Sequence, residues 1–254
     1  MHLTFLGTGT SHGIPVIGCN CDVCTSDNPK NKRTRASVWI ETDHTSILID
    51  TATEFRLQAV REGINKIDLV LLTHSHADHI HGMDDLRPLS KDKPIPVYGN
   101  FFTIKDIKKR FSYITGDSQL GGGKPRLIFT ELSETDTIKI ENGTAEIKPL
   151  PVKHGSLDVF GYRIGTLAYI TDCNFIPDKT MEDLKGLDTL IIDALRFKPH
   201  PTHFCVEEAL EIIEKTKCRR GFLTHMCHNL DHEKLEKMLP DHVKPSFDSL
   251  KIDF

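Results

Sequence analysis

One short stretch of the sequence decides both the fold and the chemistry, and it reads Leu71-Leu72-Thr73-His74-Ser75-His76-Ala77-Asp78-His79. The apolar run Ile67–Leu72 predicts a buried strand just before the polar residues. The polar residues therefore lie at the carboxyl end of a strand, where open α/β sheets place their ligand sites. The first two histidines are two residues apart and point the same way in extended backbone, whereas the adjacent Asp78 and His79 diverge. The spacing favours two metal ions side by side, one on each pair.

The composition is that of an ordinary globular protein. Of the 254 residues, 38% are hydrophobic and 27% are charged, and the formal net charge is −4. Proteins that coat nucleic acid are usually basic, so the charge argues against a nucleic-acid partner. No apolar run reaches the ~18 residues that span a bilayer, and the N-terminus lacks the features of a signal peptide. We therefore expect a cytoplasmic protein with no membrane partner and a single domain over residues 1–254.

Three of the seven cysteines are clustered near the N-terminus, at Cys19, Cys21 and Cys24. The odd count and the clustering indicate reduced thiols and a metal rather than disulfides. The spacing Cys-x-Cys-x-x-Cys is typical of thiolate ligands to a structural zinc, whose tetrahedral site needs a fourth ligand from elsewhere. We assign this zinc loop to about residues 18–35. Its second half is polar and has four basic residues, Lys30, Lys32, Arg33 and Arg35. We expect a solvated face there, with a phosphate-recruiting patch as the alternative.

Three later strand-like segments each deliver a residue that can bind metal, namely His154, Asp172 and His225. Taken alone each is ambiguous, because a lone histidine at a strand end is more often a capped or core residue. Asp50 also ends an apolar strand, and it either supports a histidine ligand or caps the helix that follows. His12 follows a glycine-rich stretch, and from there it either reaches the site or lies on the surface.

The order of these residues resembles the metallo-β-lactamase superfamily of metallohydrolases, whose signature is His-x-His-x-Asp-His after an apolar strand. The resemblance implies an α/β chain with a four-layer αββα fold, in which two mixed sheets are sandwiched between helices. It also implies two divalent active-site metals, manganese or zinc. Their implied ligands are His74, His76 and His154 for one ion, Asp78, His79 and His225 for the other, and Asp172 as the bridge.

Over nearly the whole chain the sequence is similar to the phosphoribosyl 1,2-cyclic phosphate phosphodiesterases of the carbon–phosphorus lyase pathway. The similarity implies that His228 completes the structural zinc site, although Cys227 is a competing ligand. It implies that His203 donates a proton to the leaving group, where the alternative is a residue satisfying a helix N-terminus. It also implies that Asp78 shares the acid–base work, and that the protein forms a homodimer.

The activity that the resemblance implies is hydrolysis of a small cyclic phosphodiester by a hydroxide between two metals. Another nucleotide phosphodiesterase is an alternative, because cyclic nucleotides and short oligonucleotides fit the same pair of metals. A tRNA 3′-processing endonuclease is the main alternative, because residues 203–209 are similar to its helix motif. Only 17 residues separate His154 from Asp172, which leaves no room for that enzyme's tRNA-binding arm. A non-catalytic accessory protein of cofactor biosynthesis is less compatible with a complete ligand set. A β-lactamase would have a cysteine in place of Asp172. The ligands suit manganese, zinc and iron alike.

The segment from Ser112 to Pro125 is the best candidate for a mobile loop. It contains Gly121-Gly122-Gly123 and few apolar residues. We expect a surface connection there, with a lid over the substrate as the alternative.

Overall fold

Two mixed β-sheets form the centre of the protein in the computed structural model, which describes residues 1–116, 123–140 and 145–254. The strands of these residues are β1 (His2–Gly7), β2 (Ser37–Glu41), β3 (Ser46–Ile49), β4 (Leu69–Leu71), β5 (Ile95–Gly99), β6 (Leu127–Glu131), β7 (Ile138–Ile140), β8 (Ala145–His154), β9 (Leu157–Ile164), β10 (Leu167–Ile170), β11 (Thr189–Asp193), β12 (Arg220–Thr224), β13 (Val243–Pro245) and β14 (Lys251–Asp253). The helices are α1 (Asp22–Thr25), α2 (Phe55–Glu62), α3 (Ala77–Ile80), α4 (Phe101–Arg110), α5 (Ser112–Thr115), α6 (Asp178–Asp183), α7 (Val206–Thr216) and α8 (His232–Met238). Short 3₁₀ turns cover Pro29–Asn31, His81–Leu86 and Pro88–Ser90.

The two sheets have the same internal plan. Within the described residues, the strand order is β14-β1-β2-β3-β4-β5-β6 in the first sheet and β13-β12-β11-β10-β9-β8-β7 in the second. Strands β3 to β6 of the first sheet run parallel to one another, as do strands β10 to β13 of the second. The remaining neighbours pair antiparallel. Parallel strands therefore lead into His74, Asp172 and His225, and their carboxyl ends place these residues where α/β sheets bind ligands.

Apolar side chains hold the layers together. The facing sides of the sheets share a buried cluster that includes Phe5 and Ile49 from the first sheet and Tyr162 and Ile191 from the second. The outer face of the first sheet packs on α2 and α4, and that of the second packs on α6, α7 and α8. Each fully buried side chain of this size contributes about 1.5–3 kcal/mol. The order helix, sheet, sheet, helix confirms the predicted four-layer αββα fold.

The chain after the histidine motif does not continue as a single helix over residues 79–85. Helix α3 ends at Ile80, and a 3₁₀ turn follows. The backbone N–H of Gly82 donates to the carbonyl of Thr51 at 3.0 Å, instead of to a carbonyl of α3. A side chain at Gly82 would lie 2.2 Å from the carbonyl oxygen of Ala52, so only glycine allows this approach. A contact with a distant segment thus overrides the local helical pattern.

The solvated basic face predicted for the zinc loop is wrong at Arg33, whose side chain is 1% exposed. Its guanidinium donates to the carbonyl oxygens of Cys227 and Leu230 at 3.2 and 2.7 Å. Burial lowers the pKa of Arg33 to about 10. Lys30 and Arg35 are half-buried, and Lys32 alone of the four is exposed. Arg33 therefore ties the zinc loop to the segment that carries His228.

Two further expectations concern the predicted mobile loop and the absence of membrane-spanning helices. Gly121 and Gly122, on which the predicted mobile loop depends, lie outside the described residues. Among the helices of the described residues, none has the length and apolar character needed to cross a membrane.

Candidate metal centre

Side chains from both sheets converge on one buried site. In the first sheet, β4 leads through Thr73 into the histidine motif. In the second, His154 is the last residue of β8, Asp172 lies just beyond β10, and His225 directly follows β12. Of the residues brought together, His76 alone is half-buried and the others are buried. The set is His74, His76, Asp78, His79, His154, Asp172 and His225.

Three residues at strand ends adopt the left-handed backbone region that favours glycine. Asp50, Asp172 and His225 have φ angles of 63°, 50° and 56°. A non-glycine residue in this region carries a conformational cost of order 1 kcal/mol or more and persists where its surroundings fix it. Each sharp turn ends a strand at the point where its polar side chain contacts the site. Such backbone outliers are typical of functional positions.

The carboxylate of Asp172 faces two separate groups of donor atoms. Its Oδ2 lies 3.8 Å from Nε2 of His74 and 3.8 Å from Nε2 of His154. Its Oδ1 lies 3.2 Å from Nε2 of His79 and 3.1 Å from Nε2 of His225. Within each group, completed by His76 on one side and Asp78 on the other, all donor atoms lie within 4.8 Å of one another. Each group could hold one metal ion, with Asp172 common to both.

The atoms that face the centre are buried and lack hydrogen-bond partners within the described residues. They include Oδ2 of Asp78 and Nε2 of His74, His79 and His225. A buried polar atom without a partner costs about 1–3 kcal/mol. Imidazole nitrogens and carboxylate oxygens are ligands of zinc and manganese, so the donor set fits divalent metal ions that would satisfy these atoms together.

Burial and neighbouring charges favour a cation at the centre. Burial lowers the pKa of His74 well below its usual range, so its ring is neutral and has a free lone pair. Burial opposes ionisation of Asp172, but the neighbouring His225 and His79 hold its pKa well below the usual range. Burial also opposes protonation of His79, yet Asp172 and Asp78 outweigh it and raise the pKa of that ring. A positive charge, from a proton or a metal, is thus stabilised between these rings and carboxylates.

Hydrogen bonds behind the candidate ligands fix their orientation. Oδ2 of Asp50 accepts a hydrogen bond from Nδ1 of His79 at 2.7 Å. The carbonyl of Thr202 accepts one from Nδ1 of His154 at 2.7 Å. Both contacts leave Nε2 of the ring for the site. Helix α2 begins after its N-cap Glu54, so the alternative that Asp50 caps this helix is wrong.

His203 lies beside the donor groups. Its Nδ1 donates to Oδ2 of Asp193 at 2.8 Å, which leaves Nε2 for another partner. The ring stacks on that of His225 with 5.0 Å between centroids and 12° between planes. Helix α7 has Cys205 as its N-cap, so His203 does not cap it. The sequence alone did not indicate that Asp193 orients His203. The available signal was its position, because Asp193 is the last residue of a buried strand, and Asp50, which orients His79, directly follows one.

The three clustered thiols converge on His228 in a separate group. The Sγ atoms of Cys19, Cys21 and Cys24 lie 3.2, 3.5 and 3.6 Å from its Nδ1. A tetrahedral zinc with Zn–S of about 2.3 Å and Zn–N of about 2.05 Å separates sulfur and nitrogen by about 3.5 Å. Cys227 contacts Oδ1 of Asn229 through its Sγ instead, at 3.2 Å. The geometry therefore fits a structural zinc with His228, and not Cys227, as the fourth ligand.

Comparison with known proteins defines the class to which this fold and site belong. The family model described as the beta-lactamase superfamily domain matches residues 45–226, a range that contains both candidate donor groups around Asp172. The chain belongs to the metallo-β-lactamase superfamily. Within it, a crystal structure described as a new diphosphatase from the PhnP family is 43% identical, with a TM-score of 0.92 and coverage of 100% of this chain and 97% of that one. This similarity places the chain in the PhnP family and confirms the superfamily expected from the sequence.

Two curated relatives carry other names. A protein of Porphyromonas gingivalis named octanoyltransferase is 37% identical over 254 residues, which cover 99% of this chain. The match covers 51% of that protein, so this chain spans about half of its length. Exodeoxyribonuclease YycJ of Bacillus anthracis is 25% identical over 232 residues, covering 79% of this chain and 81% of that protein.

Proposed function

We propose that the protein is a metal-dependent phosphodiesterase that hydrolyses a small cyclic phosphodiester, such as phosphoribosyl 1,2-cyclic phosphate, in a site for two divalent ions. The observation that carries this proposal is the position of Asp172, whose two oxygens face two groups of donors at 3.1–3.8 Å. A carboxylate shared in this way suits two ions held side by side. Membership of a hydrolase superfamily supports the reaction type. The diphosphatase and exodeoxyribonuclease names of two relatives support action at phosphorus.

The donor groups divide the proposed ligands between the two ions. Bound there, two ions of manganese or zinc would supply Lewis acidity toward phosphoryl oxygens and lower the pKa of water. The first group would hold one ion and the second the other, with Asp172 as a ligand of both. The first group is His74, His76, His154 and Asp172, and the second is Asp78, His79, His225 and Asp172.

The chain's own residues move the protons in the proposed reaction. The oxygen of water forms a bond to phosphorus, and the bond from phosphorus to the leaving oxygen breaks. Asp78 is held as a carboxylate, because the neighbouring His79 and His225 outweigh the effect of burial on its pKa, and this carboxylate would accept a proton from water while it binds the second ion. His203 has Nδ1 bonded to Asp193, and its Nε2 donates a proton to the leaving oxygen. An alkoxide is a poor leaving group, so this donation matters most for alkyl esters.

A structural zinc would be held by the cluster of three thiols and one imidazole, namely Cys19, Cys21, Cys24 and His228. Burial raises the pKa of Cys24 to about 11, so this thiol ionises at neutral pH only if a cation is bound beside it. Four protein ligands close a tetrahedral site and leave no position for substrate. The proposed role of this ion is therefore to hold the zinc loop against the segment after β12.

Hydrolysis of a diphosphate is the second candidate, and the name of the 43% identical relative favours it. Both substrates present anionic oxygens on a phosphorus atom, and both suit a pair of cations. They differ in the leaving group, because a phosphate leaves without help from a proton donor whereas an alkoxide does not. The contribution of His203 to turnover therefore distinguishes them.

Other activities have less support. Between His154 and Asp172 the chain forms β9 and β10, so the segment contains no arm of the kind that grips tRNA. The name octanoyltransferase belongs to a protein of twice this length, and acyl transfer is not proposed for this chain. The set of buried donors argues against a non-catalytic accessory role, since that role needs no such site. A small-molecule substrate, a homodimer and a cytoplasmic location are proposed from the sequence.

The test combines metal content with turnover. Mass spectrometry of the purified protein should find two active-site ions and one zinc per chain. With manganese or zinc added, the protein should hydrolyse bis(p-nitrophenyl) phosphate, and the cyclic ester faster. Asp172→Asn should abolish turnover, whereas Asp188→Asn, which changes a carboxylate remote from the site, should not. One active-site ion per chain, or no turnover of any phosphodiester by metal-replete protein, would refute the proposal.

A further inference from the structure

Thr73 directly precedes the histidine motif, and all of its polar groups have partners. Its backbone N–H donates to Oδ1 of Asp50 at 2.9 Å. Its carbonyl accepts a hydrogen bond from the backbone N–H of Phe160, in β9 of the second sheet, at 3.0 Å. Thr73 and Asp50 are both 0% exposed, so bulk water does not compete for these contacts. The backbone of Thr73 is thereby fixed, and with it the position of its hydroxyl.

The hydroxyl of Thr73 lies between a carboxylate and an imidazole. Its Oγ1 is 2.8 Å from Oδ2 of Asp50 and 3.0 Å from Nδ1 of His74. A hydroxyl has one proton to donate, and a carboxylate can only accept. The hydroxyl therefore donates to Asp50, and Nδ1 of His74 donates to the hydroxyl oxygen. This direction places the proton of the neutral His74 ring on Nδ1, so the lone pair is on the buried Nε2 that faces the site.

The same carboxylate oxygen also orients a second ring. Oδ2 of Asp50 accepts a hydrogen bond from Nδ1 of His79 at 2.7 Å. His74 belongs to the first donor group around Asp172 and His79 to the second. A hydrogen bond behind a metal-binding imidazole fixes its tautomer and raises its basicity as a ligand. One oxygen therefore serves an imidazole of each group, His79 directly and His74 through the hydroxyl of Thr73.

We infer that Thr73 is a positioning residue of the proposed metal centre, which connects Asp50 to His74 and lets one carboxylate oxygen orient a ligand of each ion. The inference rests on the proposed function, because it assigns the two rings to the two proposed ions. Without the hydroxyl, Nδ1 of His74 has no acceptor among the described residues, and the ring can place its proton on Nε2, where it blocks metal binding. His79 keeps its direct contact with Asp50. Thr73 therefore matters for the first ion, whereas Asp50 matters for both.

The test measures the affinity of each ion by zinc titration in competition with a chelator. Thr73→Val keeps the shape of the side chain without the hydroxyl and should bind one ion about 10–100-fold more weakly, whereas Asp50→Asn should weaken both. Thr73→Ser retains the hydroxyl and should bind both ions as the wild-type protein does. Thr180→Val is the matched control, since it removes a buried hydroxyl that donates to the carbonyl of Pro151 at 2.7 Å, outside both donor groups. This control should leave both affinities unchanged.

Nitrogen-15 NMR of the histidine rings gives a readout that a merely structural role would not change. In the metal-free wild-type protein and in Thr73→Ser, the proton of His74 should be on Nδ1. In Thr73→Val it should shift toward Nε2, whereas His154, whose Nδ1 donates to the carbonyl of Thr202, should be unaffected. Thr73→Ala, which puts no methyl group against the carboxylate of Asp50, should behave like Thr73→Val and replaces it if that variant does not fold.

The results distinguish this inference from the proposed function. Unchanged affinity for both ions in Thr73→Val or Thr73→Ala, or a proton of His74 that stays on Nδ1 in them, would overturn the role of Thr73 and leave the proposed function intact. If the variants behave as expected but the metal-replete wild-type protein hydrolyses no phosphodiester, the proposed function fails and the role of Thr73 stands.

Discussion

Oδ2 of Asp193 accepts a hydrogen bond from Nδ1 of His203 at 2.8 Å, and both side chains are buried. The same oxygen also accepts a hydrogen bond from the backbone N–H of Cys173, so the carboxylate is fixed in turn. The ring is thereby held with Nε2 as its one nitrogen left for a substrate. The pair would act in the proposed reaction as an oriented proton donor.

Removal of the His203 ring should slow substrates according to their leaving groups. In His203→Ala, turnover of an alkyl phosphodiester should fall about 10²–10⁴-fold, because an alkoxide leaves only with a proton, while turnover of bis(p-nitrophenyl) phosphate should fall much less. Metal content by mass spectrometry should be unchanged. Equal losses on the two esters would refute the role of proton donor. Equal and small losses would favour the diphosphate as substrate.

Loss of the carboxylate behind His203 should have a smaller effect of the same kind. Asp193→Asn should reduce turnover of alkyl esters by about 10–100-fold, since an asparagine amide can present N–H to the ring and rotate it. Steady-state kinetics on both esters measure this effect. Asp188→Asn changes the carboxylate just before the same strand and serves as the control. If the two variants lose activity equally, the hydrogen bond to His203 is irrelevant to turnover.

Metal stoichiometry should separate the shared ligand from a ligand of one group. Asp172→Asn weakens the charge opposite both ions, so dialysed protein should retain neither at micromolar free metal. His76 belongs to the first group alone, and His76→Ala should lose one ion and keep the other. Metal analysis by mass spectrometry gives both numbers. Retention of one ion by Asp172→Asn would show that Asp172 does not bridge.

The proposed structural zinc site should contribute to the stability of the fold rather than to turnover. Cys21→Ser should bind one zinc fewer per chain and melt at least about 2–4 °C lower, because loss of a structural zinc should cost at least ~1 kcal/mol, which changes Tm by about 2–4 °C in a chain of this size. Cys205→Ser is the control, since serine can take over the N-cap of α7. Zinc analysis and thermal unfolding check both values. An unchanged zinc content in Cys21→Ser would exclude the site.

His232 should make the protein acid-sensitive independently of the metals. Its ring is 1% exposed, its Nδ1 has no partner among the described residues, and burial together with Lys30 and Arg33 lowers its pKa to about 4. In the unfolded chain the ring of His232 binds a proton as the pH falls through about 6.5, whereas in the folded chain the ring stays neutral at that pH. This contribution to stability is therefore complete above pH 6.5 and is lost as the pH falls toward 4, by about 3 kcal/mol.

Denaturant unfolding at several pH values tests this linkage. His232→Gln should lose less stability than the wild-type protein between pH 6.5 and 4. His44→Gln, at an exposed position, should follow the wild-type protein. Parallel curves for all three proteins would contradict the assignment.

The sequence revealed much of the site because its ligands are tied to strand ends. The motif around His74 follows a three-residue strand that is wholly buried, and such a strand can be recognised in the sequence as an apolar run. Asp172 and His225 could be assigned only through the order of a known family, since a single strand-end residue has no distinctive spacing. The structure adds that both adopt a left-handed backbone, which no pattern of residue types indicated.

Tertiary contacts explain what could not be predicted. Arg33 stands in a polar, basic segment, and nothing local distinguishes it from its neighbours, yet it is buried because carbonyls about 200 residues away accept its hydrogen bonds. A cavity beside His203 is likewise assembled from distant loops, with Ser11, Arg196 and Asn229 in its lining. Pairings of this kind depend on the packed fold and not on periodicity.

Each candidate ion would be bound by residues of both sheets, because the histidine motif follows β4 of the first sheet while His154, Asp172 and His225 belong to the second. Metal loading would thus cross-link the two halves of the molecule and add its binding free energy to the cohesion of their interface. A chelator should consequently do more than abolish the proposed activity. It should accelerate amide hydrogen exchange where β4 and β12 end, as the halves begin to separate there first.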